Sequence, residues 1–181
     1  MQISIAGISN KSSGFTLVEL LIVLFMVSIF TIFVIPRFSH IGEGNLNHSA
    51  RRLSWTIKQL FNEAALSSME HRIIYDLDRG SYRATILEPD GRVLPVERFP
   101  EEIKLKQGIR FMDVTIAGRG TFSNGEVVAR ILPSGWLEET IVHFVGDNDK
   151  ILTLQINPLT GHSETYDGYR EFGFAQTVPG Y

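Results

Sequence analysis

The chain has 181 residues, no cysteine, 17 Lys and Arg against 20 Asp and Glu, and a formal net charge of −3 at pH 7. The missing cysteine excludes a disulfide framework and thiolate chemistry. The mildly acidic balance argues against a domain built chiefly to hold nucleic acid, which needs a basic face.

Gly14-Phe15-Thr16-Leu17-Val18-Glu19 opens an apolar run that reaches Ile35, and its only ionisable side chain is Glu19. At about 1.5 Å per residue, a helix over 15–35 reaches roughly 30 Å, the thickness of a bilayer's hydrocarbon core. A carboxylate placed deep in such a segment costs about 2.5–3.5 kcal/mol on insertion scales, less towards the interface, so Glu19 requires a partner for its charge. A secretory signal peptide would have a shorter apolar region followed by a small-x-small cleavage site. Ile35-Pro36-Arg37-Phe38-Ser39-His40 offers none. Lys11 is the one cation shortly before the span, whereas Arg37, Arg51 and Arg52 follow it. Charge bias alone therefore favours a cytoplasmic C-terminus. Beyond the span roughly 140 residues remain, enough for one domain with one core.

Beyond Pro36 a second helical stretch is predicted. Leu46, Ala50, Leu53, Ile57, Leu60 and Ala64 recur at alternating intervals of four and three, an apolar stripe on an amphipathic helix. Gly42 and Gly44 weaken helix locally, because an interior glycine costs up to about 1 kcal/mol relative to alanine. With Pro36 they suggest a bend, or a section that can melt and extend. The stripe needs cover, and the period changes from Ile73 onward to supply it. Ile73-Tyr75-Leu77 and Tyr82-Ala84-Ile86 alternate around Asp78-Arg79-Gly80-Ser81, which predicts a hairpin. Further strands are predicted at 103–105, 109–116, 126–132, 140–145 and 150–156, with Asp147-Asn148-Asp149 as a hairpin tip. About seven short strands packed on the helix stripe make an α+β domain.

Catalytic chemistry is sparse. The five histidines (His40, His48, His71, His143 and His162) have no metal-ligand spacing, and His143 reads as a strand position. Ser134 lies in a Pro-Ser-Gly-Trp turn, not a nucleophile elbow. Glu101-Glu102 and Glu138-Glu139 are strand neighbours that point to opposite faces, so neither forms a dyad. Asp147 and Asp149 offer oxygen ligands but lack a spaced set of others, so no cofactor is expected and calcium is not expected there. In the last 20 residues Tyr166, Tyr169, Phe172, Phe174 and Tyr181 alternate with Gly168, Gly173 and Gly180. They either pack back on the sheet or present anchors to a partner. From residue 147 onward Lys150 and Arg170 face Asp147, Asp149, Glu164, Asp167 and Glu171, a net of −3.

Gly14 followed by Phe15-Thr16-Leu17-Val18-Glu19-Leu20 and a long apolar stretch resembles the N-terminus of type IV pilins and of the pseudopilins of type II secretion. The resemblance implies that a membrane-bound aspartyl prepilin peptidase cuts between Gly14 and Phe15 and methylates the new amino group of Phe15. It implies that Glu19 pairs with the cationic N-terminus of a neighbouring subunit, and Pro36 falls where the family commonly has a proline. It also implies a cytoplasmic leader and an external C-terminal domain, the reverse of the charge bias. The peptidase acts on the cytoplasmic face, which decides for the family's orientation.

The long helix leading directly into many strands, the passage Ala64–Arg72, the turn Leu132-Pro133-Ser134-Gly135-Trp136 and the late Leu154–Gly161 segment are similar to the minor pseudopilin H type (GspH/FimT family). The implied fold is a pilin-like α+β arrangement, a long N-terminal helix on antiparallel sheets. Its parts are a cleaved leader at 1–14, a transmembrane helix segment at 15–36, an amphipathic periplasmic helix at 37–72 and an antiparallel β domain at 73–181. The implied function is that of a non-enzymatic subunit of the type II secretion pseudopilus, which supports export of folded proteins across the outer membrane. Its partners would be major and minor pseudopilins, the prepilin peptidase and the inner membrane, in a Gram-negative-type envelope, without nucleic acid. Glu19 argues against the tip-most pseudopilin type, which usually lacks that residue. Two rivals remain: a minor pilin of a type IV pilus, FimT-like and including forms that take up DNA, and a membrane-anchored enzyme. The acidic C-terminal part counts against DNA, and the absence of a nucleophile, dyad or metal set counts against the enzyme.

Overall fold

The computed structural model describes residues 16–173, with 31–43 described by their backbone alone. The chain falls into two compact units, Met1–Phe38 and Ser39–Tyr181. Helix α1 is assigned over Leu17–Ser67. It starts at Thr16, whose hydroxyl accepts the Glu19 N–H at 3.2 Å and whose carbonyl accepts the Leu20 N–H at 3.2 Å. Thr16-Leu17-Val18-Glu19 thus supplies an N-cap, with its acid in the first turn, where the helix dipole favours negative charge.

In the first unit, apolar side chains from Leu17 to Phe30 are exposed around the whole helix, with Leu17 at 76 %, Phe25 at 65 % and Phe30 at 68 %. A helix apolar on all sides is one that its surroundings must bury. Among the described residues no helix is long and apolar enough to cross a membrane. The side chains described in this unit end at Phe30, and the apolar sequence runs on to Ile35.

The helical stretches expected at 15–36 and 37–72 are one element at the backbone level, and the helix ends five residues earlier than expected, at Ser67. Ser68 takes a left-handed φ of 55°, and the Met69 N–H turns to the Ser67 hydroxyl at 3.3 Å. This gives the helix a C-terminal stop without glycine. Residues 70–72 belong instead to β1 (Glu70–Asp76), because Glu70, His71 and Arg72 find ladder partners in Leu87, Ile86 and Thr85.

In the second unit the other strands are β2 (Ser81–Leu87), β3 (Val93–Pro95), β4 (Ile103–Lys104), β5 (Ile109–Ile116), β6 (Gly120–Phe122), β7 (Glu126–Leu132), β8 (Trp136–Leu137), β9 (Thr140–Gly146), β10 (Ile151–Ile156) and β11 (Ser163–Asp167). They form two antiparallel sheets. One has the order β3-β2-β1-β7-β8 with β4 also on β2, and the other the order β11-β10-β9-β5-β6. The hairpin expected around residues 78–81 is β1–β2, paired from Glu70↔Leu87 to Asp76↔Ser81. The short strands β3, β6 and β8, and the longer β11, were not anticipated. Three of these have only two or three residues, too short to show a period.

All six residues of the predicted helix stripe are buried, and they share one core with residues of both sheets, including Tyr75, Tyr82, Val114, Phe144 and Leu154. Polar ties fix the helix over this core. The Ser49 hydroxyl accepts the Lys106 N–H at 3.1 Å, and Asn45 donates to the Gln107 carbonyl at 3.2 Å. Lys58 Nζ donates to the Thr160 carbonyl at 2.6 Å.

Close packing between helix and turn is tightest at Gly161. Its φ is +62°, and a Cβ there would stand 2.7 Å from the Phe61 ring. Gly161→Ala should therefore destabilise the protein by about 2–3 kcal/mol, through backbone strain and a displaced Phe61 together. Gly168 has φ +82° but open space around it, so Gly168→Ala should cost only the backbone part, about 1–2 kcal/mol. Urea denaturation followed by circular dichroism tests the pair, and equal losses would contradict the packing argument.

Candidate assembly site and the polar clusters of the β domain

The N-terminal site is a first helical turn that carries one acid on an otherwise apolar surface. Glu19 is exposed, and its backbone N–H is capped by Thr16. Among the described residues no cation pairs with its carboxylate. Gly14 and Phe15 lie outside the described residues. Pro36 lies within the helix assignment, among the residues described by backbone alone.

The β domain holds two buried polar clusters, and neither is arranged for catalysis. The first centres on Glu138, which is 5 % exposed. One carboxylate oxygen accepts from Arg130 Nη2 at 2.9 Å and Nε at 3.2 Å. The other accepts the Arg130 N–H at 2.9 Å and Arg119 Nη1 at 3.2 Å. Arg119 also donates to the Val128 carbonyl at 2.6 Å. Glu138 therefore joins the β5–β6 turn of one sheet to β7 of the other. Glu138 and Glu139, expected as strand neighbours, lie in the connection between β8 and β9, and the sequence could not show this role, since no spacing pairs 138 with 119 and 130. Glu101 and Glu102, also expected within a strand, precede β4, and Glu102 accepts from the Ser81 hydroxyl at 2.8 Å.

The second cluster lies on β9, all seven residues of which are buried. His143 Nδ1 lies 2.6 Å from Asp113 Oδ1, and its Nε2 donates to the Arg170 carbonyl at 2.8 Å. Tyr169 stacks on the imidazole, with ring centroids 3.8 Å apart. A β-bulge in β5 makes the pair possible. Register shifts between Phe111 and Asp113, which sets Phe111 opposite Phe144 and Asp113 opposite His143. One extra residue thus turns Asp113 away from the face that Phe111 occupies. Both ring nitrogens are engaged, so this imidazole has none left to act as a general base. The residues after β11 cover the outer face of the sheet here: Thr153 Oγ1 donates to the Gly168 carbonyl at 2.6 Å and accepts the Arg170 N–H at 3.1 Å. Tyr169 of the C-terminal aromatic series thereby packs on the sheet, while Phe174 and Tyr181 lie outside the described residues.

Asp147 and Asp149 sit in the β9–β10 turn, as the sequence placed them, with Asp149 at φ 56°. Among the described residues no three His, Asp or Glu side chains are grouped to hold a metal ion.

Comparison with known proteins connects both ends of the chain. Residues 9–35 match the prokaryotic N-terminal methylation motif. Two solved structures of the minor pseudopilin EpsH from the type II secretion system of Vibrio cholerae share the fold. One has a TM-score of 0.54 at 16 % identity, covering 68 % of this chain and 97 % of that one. The other has a TM-score of 0.57 at 14 % identity, covering 68 % and 96 %. No curated protein matches the sequence. The chain thus combines an N-terminal methylation motif with a β domain that shares the fold of a minor pseudopilin.

The Glu138 cluster has a pH signature. Burial raises the Glu138 carboxyl, but hydrogen bonds from the Arg130 side chain and N–H, with the charges of Arg130 and Arg119, outweigh it and hold the group below the ordinary 4.5. A carboxyl lowered on folding stabilises the fold above its unfolded value, and that contribution disappears as pH falls through the folded value. Glu138→Gln should cost about 1–2 kcal/mol at pH 7, the two arginines being half exposed. The difference from the wild type should shrink below about pH 4. A difference that stays constant from pH 7 to pH 3 in denaturant titrations would refute the ion-pair account.

Proposed function

We propose that this protein is a minor pseudopilin of the H type, an assembly subunit of a type II secretion pseudopilus that supports export of folded proteins across an outer membrane. One observation carries the reading: a prokaryotic N-terminal methylation motif at residues 9–35 precedes a β domain with the EpsH fold. In this reading a prepilin peptidase cuts after Gly14 and methylates the Phe15 amine. The apolar helix first holds the subunit in the inner membrane, with the β domain in the periplasm, and then joins the filament core. Pro36 marks the point where the helix leaves the membrane and can bend. Glu19 meets the cationic N-terminus of a neighbouring major or minor pseudopilin, and the two charges neutralise each other where water is scarce. No cofactor enters the reading, calcium at Asp147 and Asp149 included.

The second reading, a FimT-like minor pilin of a type IV pilus, shares every one of these N-terminal steps. The net of −3 from residue 147 onward disfavours its DNA-uptake form, because a DNA receptor needs cations that meet phosphates. If the purified protein shifts duplex DNA at physiological salt, the second reading replaces the first.

Mass spectrometry of the mature chain should find a methylated Phe15 as the first residue, and an intact Met1 would exclude prepilin processing. Glu19→Ala should leave cleavage and β-domain stability unchanged while reducing secretion and co-purification with other pseudopilins by about tenfold or more, the effect of an uncompensated charge in an apolar filament core. Wild-type assembly in that variant would end the charge-pairing account.

A further inference from the structure

The chain that follows β11 lies as a strap across the outer face of its sheet. The Gly168 N–H donates to the Ile151 carbonyl at 2.9 Å. Thr153 Oγ1 then holds both the Gly168 carbonyl and the Arg170 N–H, so the strap starts over β10. It continues over β9, where His143 Nε2 donates to the Arg170 carbonyl at 2.8 Å and the Tyr169 ring stacks on the imidazole. His143 and Thr153 are 1 % and 0 % exposed beneath it. The bulge in β5, which skips Met112 in the register, delivers the Asp113 carboxylate to the same ring.

A carboxylate and a backbone carbonyl only accept hydrogen bonds, and a neutral imidazole has a single N–H. Both contacts of His143 are therefore made together only when a proton also lies between Nδ1 and Asp113 Oδ1, which are 2.6 Å apart. Without that proton a nitrogen lone pair faces one of the two acceptors, and one contact is lost. Among the described residues Asp113 is the charged side chain that touches the ring. On the same face of the sheet, β5 adds Arg110 opposite Val145, and β11 adds Glu164 and Tyr166. The strap adds Arg170, whose guanidinium lies 4.3 Å over the Tyr166 ring, and Glu171, which acts on Tyr169. From β10 come only Ile151, Thr153 and Gln155, none of which titrates. Burial first, then the charge and hydrogen bond of Asp113, push the Tyr169 phenol above its ordinary 10, which keeps it a neutral stacking partner.

We infer that the Asp113–His143 pair is a pH-sensitive lock on this strap, holding residues 168–173 on the sheet while the bridging proton is present and releasing them as it is lost. The sign follows from the proton count. The closed strap keeps a proton that an open strap with a neutral ring does not, so closure weakens as pH rises. Release uncovers His143 and Thr153 and turns the stacked face of Tyr169 to solvent. The lock depends on the fold alone and not on the filament-subunit reading.

The test uses the full chain in detergent micelles. Hydrogen exchange of peptides spanning 168–173 is read by mass spectrometry from about pH 6 to pH 10 and corrected for the intrinsic exchange rate at each pH. Wild-type protection should hold at the acid end and fall towards the alkaline end by up to about tenfold per pH unit, the limiting slope of a one-proton link. Asp113→Asn should keep the strap closed and abolish the pH dependence, because the amide N–H can donate to a neutral Nδ1 while Nε2–H still reaches the Arg170 carbonyl. A merely structural carboxylate would leave the slope in place. His143→Ala should lower protection by about tenfold or more even at pH 6. The lock is wrong if wild-type protection is flat across the range or if Asp113→Asn keeps the wild-type slope. It is also wrong if peptides of β1 and β2 lose protection in parallel, since the change is then global unfolding and not release of the strap.

Discussion

Everything in the β domain answers to the stripe formed by Leu46, Ala50, Leu53, Ile57, Leu60 and Ala64. A half-apolar helix of that length gains little from its own hydrogen bonds in water and depends on a covering surface. Two sheets provide it, and the polar ties at Ser49, Asn45 and Lys58 then set where along the helix each loop lies. The alternation of small and large residues along the stripe has a direct consequence. Ala50 and Ala64 are fully buried, so the backbone there approaches the sheets closely, and the turn at Gly161 can rest on Phe61.

The same helix meets the opposite situation in its first unit. From Leu17 to Phe30 its apolar side chains are exposed and nothing among the described residues covers them. One continuous helical backbone therefore has two different needs: a stripe that its own domain buries, and a cylinder that only a bilayer or other helices can bury. The single acid on that cylinder sits in the first turn, where the cap and the helix dipole offset part of its cost. Assembly is thus the chemistry of this protein in the proposed reading: the free energy left unsatisfied in one subunit is satisfied by its surroundings.

The buried polar groups of the β domain serve rigidity. Glu138 ties the two sheets by accepting from two arginines, and His143 ties the chain after β11 onto β9 through Asp113, Arg170 and Tyr169. Charged groups persist in such places only when every partner is supplied. With Glu138 and His143 partnered inside the domain, its exposed arginines, carboxylates and edge strand are the groups that face neighbours.

Local patterns in the sequence were enough to determine the N-terminal motif, the apolar run with its lone glutamate, the helix stripe, and strands such as 109–116 and 126–132. Each depends on a period or a spacing within one segment, and such signals survive without knowledge of the fold. The helix end at Ser67 escaped because serine in a left-handed conformation replaces the glycine that would have announced it. The short strands β3, β6 and β8 escaped because pairing partners, not their own residues, make them strands. His143 was legible as a strand residue but not as a clasp, since a bulge at Met112 decides which face Asp113 occupies. Glu138 gave no signal at all, its arginines being brought to it only when the sheets meet. Segments with a repeating pattern were determined by the sequence itself. Contacts between residues far apart in the chain, including Trp55 on Phe99 and Lys58 on Thr160, were decided only by the tertiary structure, because distance in space is set by how the sheets close over the helix.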